Sequence, residues 1–350
     1  MAAIPTLIFV GGFLGAGKTT LIIEAAKRLQ KRGQRVGLIL NDQDSELVDT
    51  KYAEAQRFAA REVAGGCFCC RFSELLERAN ELRAERLDVL FAEPVGSCID
   101  LSATILQPLQ LSHQDRFRVA PLTVLIDPEL TQEVEKGRAA AEVAYLFQQQ
   151  VREADIVCLT KADRFPEKAA APFPVDFQIS ARMGLGVDSW LEEALSGRRV
   201  AGARLLDVDY DEYAEAETAL GWLNVQASIR LAEPLSPAVL AGPLLDQLDR
   251  DLTAEKIRIA HLKVFDRTRG GYVMASIRSN GDEPEPQGDS IAEAEVEHQL
   301  AINLRALGDL ARMQEIVERA ISSIRGSVDV GHFRVFRPPA PKPEYRVMGS

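Results

Sequence analysis

A glycine-rich motif near the start of the chain constrains the fold most. Residues 12–19 read Gly-Phe-Leu-Gly-Ala-Gly-Lys-Thr and satisfy the phosphate-binding pattern G-x-x-x-x-G-K-[ST]. A strand-like apolar run at 6–10 precedes the motif and a helical pattern at 19–31 follows it, which is the context that this pattern requires. A glycine turn without function is the alternative, and the flanking strand and helix disfavour it. The motif predicts a P-loop.

The residue types in this motif match the chemistry of phosphate binding. Glycines let backbone N–H groups curve around phosphate oxygens, and the helix N-terminus adds a partial positive charge. We expect Lys18 to reach the β- and γ-phosphates as a catalytic residue and Thr19 to bind Mg²⁺. The predicted phosphate-binding residues are Gly12, Gly15, Ala16, Gly17, Lys18, Thr19 and Thr20.

A second motif favours guanine over adenine. Residues 160–163 read Thr-Lys-Ala-Asp at the end of a predicted strand, where P-loop GTPases carry a guanine-reading N/T-K-x-D element. Asp163 can accept hydrogen bonds from guanine, whereas adenine would leave its charge unpaired. The predicted base contacts are Thr160, Lys161 and Asp163, with Ser180 and Ala181 after the next strand. GTP is thus predicted, and a P-loop ATPase or small-molecule kinase is the alternative.

The segment Glu93-Pro94-Val95-Gly96 follows the apolar run at 87–92. In a P-loop protein this is the place for a Walker B acid and a γ-phosphate-sensing glycine. We therefore expect Glu93 to hold Mg²⁺ or its water as a second catalytic residue, and Gly96 to contact the nucleotide. A plain turn is the alternative, because Pro and Gly are turn residues.

A cysteine loop predicts a metal site. Residues 65–70 read Gly-Gly-Cys-Phe-Cys-Cys, and three thiolates on one short loop can bind Zn²⁺ or another divalent transition metal. The alternative is that Cys67, Cys69 and Cys70 are small buried side chains. Cys98 is a candidate fourth sulfur, although a core position is favoured, and Cys158 is expected in the core. An odd total of five cysteines does not suggest a disulfide framework.

The order of predicted elements indicates an α/β fold with two domains. Strands at 6–10, 35–40, 87–92, 122–126, 155–160 and 177–180 alternate with helices at 19–31, 73–86, 129–153 and 187–195. This predicts a doubly wound, mainly parallel sheet in a P-loop NTPase domain at 1–198. We expect a linker at 199–221, a smaller α+β domain at 222–337, and a proline-rich extended tail at 338–350. The loop at 280–290 reads as an exposed turn.

Composition and hydropathy disfavour two classes of partner, nucleic acid and membrane. The net charge of −11 disfavours nucleic acid, because phosphate backbones are bound by surplus Lys and Arg. No apolar run approaches the roughly 18 residues of a membrane helix, so a cytoplasmic protein without membrane contact is expected.

Taken together, these motifs resemble the CobW-like GTPases, relatives of the urease and hydrogenase accessory GTPases. The resemblance covers about residues 4–196. It implies a metallochaperone-type GTPase with GTP and Mg²⁺ in the nucleotide site, a metal ion on the cysteine loop, and a client metalloprotein. It also implies that Asn41-Asp42 belongs to the first switch region, with Asp42 as a metal ligand where the family usually has Glu. The second alternative is a metal or redox sensor that binds nucleotide without turnover, and a pure interaction module is a third.

Overall fold

The chain forms two compact units. The structure, a computed structural model, describes residues 4–44, 53, 56, 58–165 and 171–348 of the 350-residue chain. The first unit comprises Met1–Glu217 together with Pro339–Ser350, and the second comprises Thr218–Pro338. The C-terminal tail thus returns to the unit that carries the P-loop, and its last two residues lie outside the described part.

Continuous apolar runs form the sheet of the first unit, because strands buried on both faces need no polar alternation. In the described residues this sheet has eight strands in the order β3-β2-β4-β1-β6-β7-β8, with β5 beside β1, and every pairing is parallel. All six predicted strands are confirmed, with ends that differ by up to two residues. The strands are β1 Thr6–Gly12, β2 Val36–Asn41, β3 Ala59–Val63, β4 Val89–Glu93, β5 Arg118–Val119, β6 Thr123–Ile126, β7 Ile156–Leu159 and β8 Phe177–Gln178.

Helices connect these strands. They are α1 Lys18–Lys31, α2 Phe72–Ala84, a π-helical turn Ser102–Leu106 that continues into α3 Gln107–Ser112, α4 Pro128–Glu135, α5 Ala141–Glu153, α6 Val187–Leu195 and α7 Tyr210–Ala219. The prediction of one helix at 129–153 is wrong, because the helical conformation is interrupted between α4 and α5. Gly137 lies there with φ 63°, a left-handed conformation that ends a helix. The first unit thus has an α/β fold, as predicted.

The second unit is an antiparallel sheet with helices on one face, again as predicted. Its strand order is β12-β11-β10-β13-β9-β14. Alternate apolar residues of β9, such as Leu223 and Val225, share one core with apolar residues of both helices. The elements are β9 Leu220–Leu235, α8 Pro237–Ala254, β10 Arg258–Arg267, β11 Tyr272–Ile277, β12 Glu285–Gly288, β13 Glu295–Leu307, α9 Leu310–Ser322 and β14 Gly326–Phe336.

One loop prediction in this unit fails. Residues 285–288, expected within an exposed turn, form the edge strand β12 and pair with β11 from Ser276 to Val273. Backbone hydrogen bonds make this pairing, so the turn-like composition does not prevent it. None of the helices in the described part of the chain combines the length and apolar character that crossing a bilayer requires.

Candidate nucleotide and metal site

The P-loop connects β1 to α1 through three glycines with positive φ. Gly12 has φ 128°, Gly15 has φ 74° and Gly17 has φ 90°. A Cβ atom at Gly12 would also lie 2.4 Å from the carbonyl oxygen of Leu125, so a larger residue cannot fit there. Gly17 is the N-cap of α1 and has no side chain of its own that could cap this helix end. Backbone amides in the first turn of such a helix are the groups that bind phosphate in P-loops.

Lys18 contacts the loop that it follows. Its Nζ donates to the carbonyl oxygens of Gly12 at 3.0 Å and Phe13 at 3.4 Å. The side chain is buried. These contacts hold one positive charge against the loop, where it can oppose the charge of phosphate.

The fold brings Thr19 next to Glu93 across 74 residues of sequence. The Thr19 hydroxyl donates to a Glu93 carboxylate oxygen at 3.0 Å, and both side chains are buried. A hydroxyl and a carboxylate at this spacing are oxygen ligands of the kind that Mg²⁺ prefers. The chemistry of this pair fits a magnesium site.

Gly96 packs against the P-loop. A Cβ atom at this position would lie 2.8 Å from Leu14 Cδ2 and 3.0 Å from the Leu14 amide nitrogen. Glycine is therefore required for the segment after β4 to approach the loop this closely. The contact joins two segments that the sequence assigns to phosphate binding.

The end of β2 lies beside the end of β4. Leu40 is paired with Glu93 in the parallel register, and Asp42 follows two residues later. An Asp42 carboxylate oxygen accepts from the Gln43 amide at 2.6 Å, and the Asp42 amide donates to the carbonyl of Val63 at 3.2 Å. Asp42 thus stands at the phosphate end of the sheet, in a position compatible with the first switch region.

The candidate base-reading segments meet at the ends of β7 and β8. The Ala162 amide donates to the carbonyl of Ile179 at 3.2 Å, which brings Thr160–Asp163 next to Ser180 and Ala181. Lys161 has φ 56° and its Nζ lies 2.8 Å from an Asp127 carboxylate oxygen. Asp163 is exposed. The geometry leaves the Asp163 carboxylate accessible to a ligand.

The three cysteines of the loop converge. Cys67 Sγ lies 2.8 Å from Cys69 Sγ and 3.1 Å from Cys70 Sγ, and the sulfurs of Cys69 and Cys70 are 3.7 Å apart. Cys67 and Cys69 are buried, whereas Cys70 is half-buried. No other group of three or more possible ligands is this compact among the described residues. Cys158 is buried in β7, as expected.

Contacts among the three thiols shift their pKa values in opposite directions. Hydrogen bonds with Cys69 and Cys70 lower the pKa of Cys67. The same contact with Cys67 raises the pKa of Cys69, and raises the pKa of Cys70 to about 11. Cys67 is therefore the most acidic of the three thiols.

The cluster fits a soft or borderline metal ion. Three sulfurs on one short loop are a donor set for zinc and similar ions. A tetrahedral zinc site has Zn–S bonds of about 2.3 Å, which places sulfurs about 3.8 Å apart. A bound zinc ion would thus require Cys67 Sγ to move about 1 Å farther from Cys69 Sγ and about 0.7 Å farther from Cys70 Sγ. The 3.7 Å spacing between the sulfurs of Cys69 and Cys70 already fits.

Asn41 at the end of β2 holds this cysteine loop. Its amide nitrogen donates to the carbonyls of Val63 and Gly66, each at 2.8 Å, and its amide oxygen accepts from the Phe68 amide at 2.8 Å. The side chain is buried. Asn41 directly precedes Asp42, so this one residue connects the cysteine loop to the candidate switch region.

Sequence reasoning missed a second group of polar contacts near the cluster. Glu217, which lies in the predicted linker, is buried. Its carboxylate accepts from the Ser97 hydroxyl at 2.8 Å and from the side-chain amide of Gln43 at 3.3 Å. Burial and then the charge of Cys67 raise the pKa of Glu217 to about 8. Cys98 is fully buried, and burial first and its interaction with Cys67 second raise the pKa of its thiol. An acidic stretch gave no signal that one of its residues would be buried here.

Comparison with known proteins places part of the chain in a family. Residues 6–174 match the family model described as the CobW/HypB/UreG nucleotide-binding domain. This segment belongs to that family. The CobW/HypB/UreG domain contains the P-loop, the cysteine loop and the Thr160–Asp163 segment, whereas Ser180 and Ala181 follow it. No curated protein sequence matches the chain significantly.

Several solved structures are similar to this chain at low identity. HypB from Helicobacter pylori in complex with nickel is 16% identical, with a TM-score of 0.41, over 56% of this chain and 90% of its own. The hydrogenase maturation factor HypB from Archaeoglobus fulgidus is 17% identical, with a TM-score of 0.38, over 54% and 87%. The Zn(II)-bound YjiA GTPase from E. coli is 14% identical, with a TM-score of 0.34, over 92% and 99%. Likeness at this level transfers no residue roles.

Proposed function

We propose that this protein is a GTP-hydrolysing metallochaperone in which nucleotide state controls the cysteine metal site. The observation that carries the proposal is the set of hydrogen bonds from Asn41 to the cysteine loop. Asn41 ends β2 next to Asp42, and β2 is paired with the strand that ends in Glu93. A change at the phosphate end of the sheet therefore has a short path to the three sulfurs.

The roles in the nucleotide site follow from the contacts above. Lys18 offsets the charge of the β- and γ-phosphates, and amides of the P-loop bind their oxygens. Thr19 and Glu93 would hold Mg²⁺ directly or through water, with Asp42 as a further ligand. An ion held there would supply positive charge that offsets the charge developing on the phosphates. Asp163 reads the guanine edge, with support from Thr160, Lys161, Ser180 and Ala181.

The roles in the metal site follow likewise. Cys67, Cys69 and Cys70 supply three sulfur ligands and leave a fourth position for exchange. Such a site can pass its ion to a client metalloprotein. The metal is Zn²⁺ or another divalent transition ion. The ligand set fits several such ions, because the order of their affinities is the same for most ligand sets.

Turnover assays test the nucleotide half of this proposal. Lys18→Ala should abolish GTP hydrolysis, whereas Lys31→Ala, an exposed lysine at the other end of α1, should leave it unchanged. Asp163→Asn should weaken GTP binding, because the amide turns an obligate acceptor into a mixed donor and acceptor. Hydrolysis within twofold of the parent in Lys18→Ala would contradict the assignment. Bound fluorescent GTP displaced equally well by ATP would favour an ATPase or kinase.

Metal binding tests the other half. Purified protein should bind Zn²⁺ in a 1:1 ratio, and the combined Cys67→Ser, Cys69→Ser and Cys70→Ser substitutions should remove it. Cys158→Ser is the control, since that thiol lies in β7. Stoichiometric Zn²⁺ that survives the triple substitution would show that the loop is not the site. Metal binding without GTP hydrolysis in any metal state would instead favour a sensor.

A further inference from the structure

The proline-rich tail lies against the cysteine loop. The Lys342 amide donates to Cys70 Sγ at 3.1 Å, and the Glu344 amide donates to the carbonyl oxygen of Cys69 at 2.9 Å. Proline has no amide hydrogen, so residues 341–344, Pro-Lys-Pro-Glu, offer only these two backbone donors. Both are used on the loop. We call residues 339–348 the arm.

The Glu344 side chain anchors the arm to the start of α2. One carboxylate oxygen accepts from the Ser73 amide at 3.0 Å and from the Ser73 hydroxyl at 2.5 Å. A carboxylate at a helix N-terminus is stabilised by the helix dipole and by unpaired amides. The ring of Tyr345 packs edge-on against Phe72, with centroids 5.2 Å apart. The arm is thus held beside the loop by contacts outside it.

A second anchor follows further along the arm. The Arg346 guanidinium donates to an Asp100 carboxylate oxygen at 2.7 Å and to the carbonyl of Leu206 at 3.0 Å. Asp100 is fully buried, and this ion pair offsets part of the cost of its burial. The Val347 amide donates to the carbonyl of Ala103 at 2.9 Å. The arm is therefore also anchored at Arg346 and Val347, which follow Glu344 in the chain.

From these contacts we infer that the arm is a lid on the metal site. The inference rests on the proposed function. When docked, the arm stabilises the Cys70 sulfur through the Lys342 amide and limits access to the cluster. When released, it exposes Cys70 for metal uptake or transfer. The prolines favour an extended conformation before docking, which reduces the entropy lost when the arm orders.

A matched pair of variants separates the amide from the side chain. Lys342→Pro removes the N–H that Cys70 accepts, whereas Lys342→Ala keeps it and removes an exposed side chain. Proline suits this position because the residue before Pro343 is already restricted to extended backbone. A third variant ends the chain after Pro338 and removes the arm entirely. Circular dichroism and GTP binding check that each variant is folded.

The first measurement is the alkylation rate of Cys70 in metal-free protein, followed by mass spectrometry of the peptide. Truncation should speed alkylation by about tenfold or more, and Lys342→Pro by roughly twofold to tenfold, the range that one net hydrogen bond gives. Lys342→Ala should match the parent. Equal rates in the parent and the truncated protein would overturn the lid.

The second measurement is the rate at which Zn²⁺ passes from the loaded protein to a chelator. The truncated protein should release Zn²⁺ at least fivefold faster than the parent, with Lys342→Pro in between. Unchanged release would overturn the lid while leaving metal binding intact. A parent protein that binds no Zn²⁺ would refute the proposed function instead, and the alkylation rates would still decide whether the arm shields Cys70.

Discussion

The substitution Asn41→Ala should separate the cysteine loop from the nucleotide site. It removes three hydrogen bonds of 2.8 Å, two from the amide nitrogen and one to the amide oxygen. Two of them, to Gly66 and from Phe68, reach the loop itself. The other partner is the carbonyl of Val63, at the end of β3.

The magnitude follows from the number of bonds. A net hydrogen bond contributes about 0.5–1.5 kcal/mol, so the two that reach the loop contribute roughly 1–3 kcal/mol. Every 1.4 kcal/mol is a factor of ten, and local opening of the loop should therefore become about 5 to 150 times more favourable. Because Asn41 links the loop to Asp42, the effect of nucleotide on metal affinity should fall along with this stability.

Hydrogen exchange at the Phe68 amide is the direct assay, because this amide donates to Asn41. Its protection should fall by at least about fivefold in Asn41→Ala. Asn80→Ala is a matched control, since that side chain donates to Leu76 within α2 and touches no predicted site residue in the structure. Unchanged Phe68 protection, or full nucleotide dependence of Zn²⁺ affinity in Asn41→Ala, would refute this reasoning.

Three further predictions concern other buried contacts. Gly96→Ala should weaken GTP binding by tenfold or more in a fluorescence titration, because the new methyl group would lie 2.8 Å from Leu14 Cδ2, and binding equal to the parent would contradict this. Cys98→Ser should lower Zn²⁺ affinity by about 10- to 100-fold in chelator competition, as loss of a group next to a ligand commonly does, and unchanged affinity would make it a core thiol only. Asp266→Asn should lower the unfolding free energy by about 3–5 kcal/mol at pH 6, because it breaks a fully buried pair with His298. Burial lowers the pKa of His298, but the hydrogen bond and the charge of Asp266 raise it more, so the net shift of this pKa is upward. The stability that the pair contributes is therefore present below about pH 6.5 and is lost as pH rises through the pKa of His298 in the folded protein. An equal loss of unfolding free energy in denaturant titrations at pH 6 and pH 9 would contradict the assignment.

Local sequence patterns predicted the parts of the fold that are locally encoded. The strands β1 and β4 are continuous apolar runs, and their burial on both faces produces that pattern. The edge strands β3 and β14 were not predicted. Their sequences, AAREV and GSVDVGHFRVF, mix polar and small residues, because an edge strand needs backbone pairing more than apolar side chains.

The candidate site divides in the same way. Spacing located the P-loop and the cysteine loop, because each is a short segment whose chemistry depends on adjacent residues. The contacts of Asn41, Glu217 and Lys342 could not be predicted. Each is one polar residue that acts on a loop distant in sequence, and Lys342 acts through an amide that carries no residue-specific signal.

The central claim, that nucleotide state and metal binding are linked, is tested most directly by a closed thermodynamic cycle. Zn²⁺ affinity is measured by chelator competition on protein loaded with GDP and with a non-hydrolysable GTP analogue. The affinity of the analogue is then measured with and without Zn²⁺, in parallel with that of GDP. By linkage the two ratios must agree, and we expect a factor of about 5 to 150. Equal Zn²⁺ affinity in both nucleotide states would contradict the account and leave a GTP-binding protein with an independent metal site.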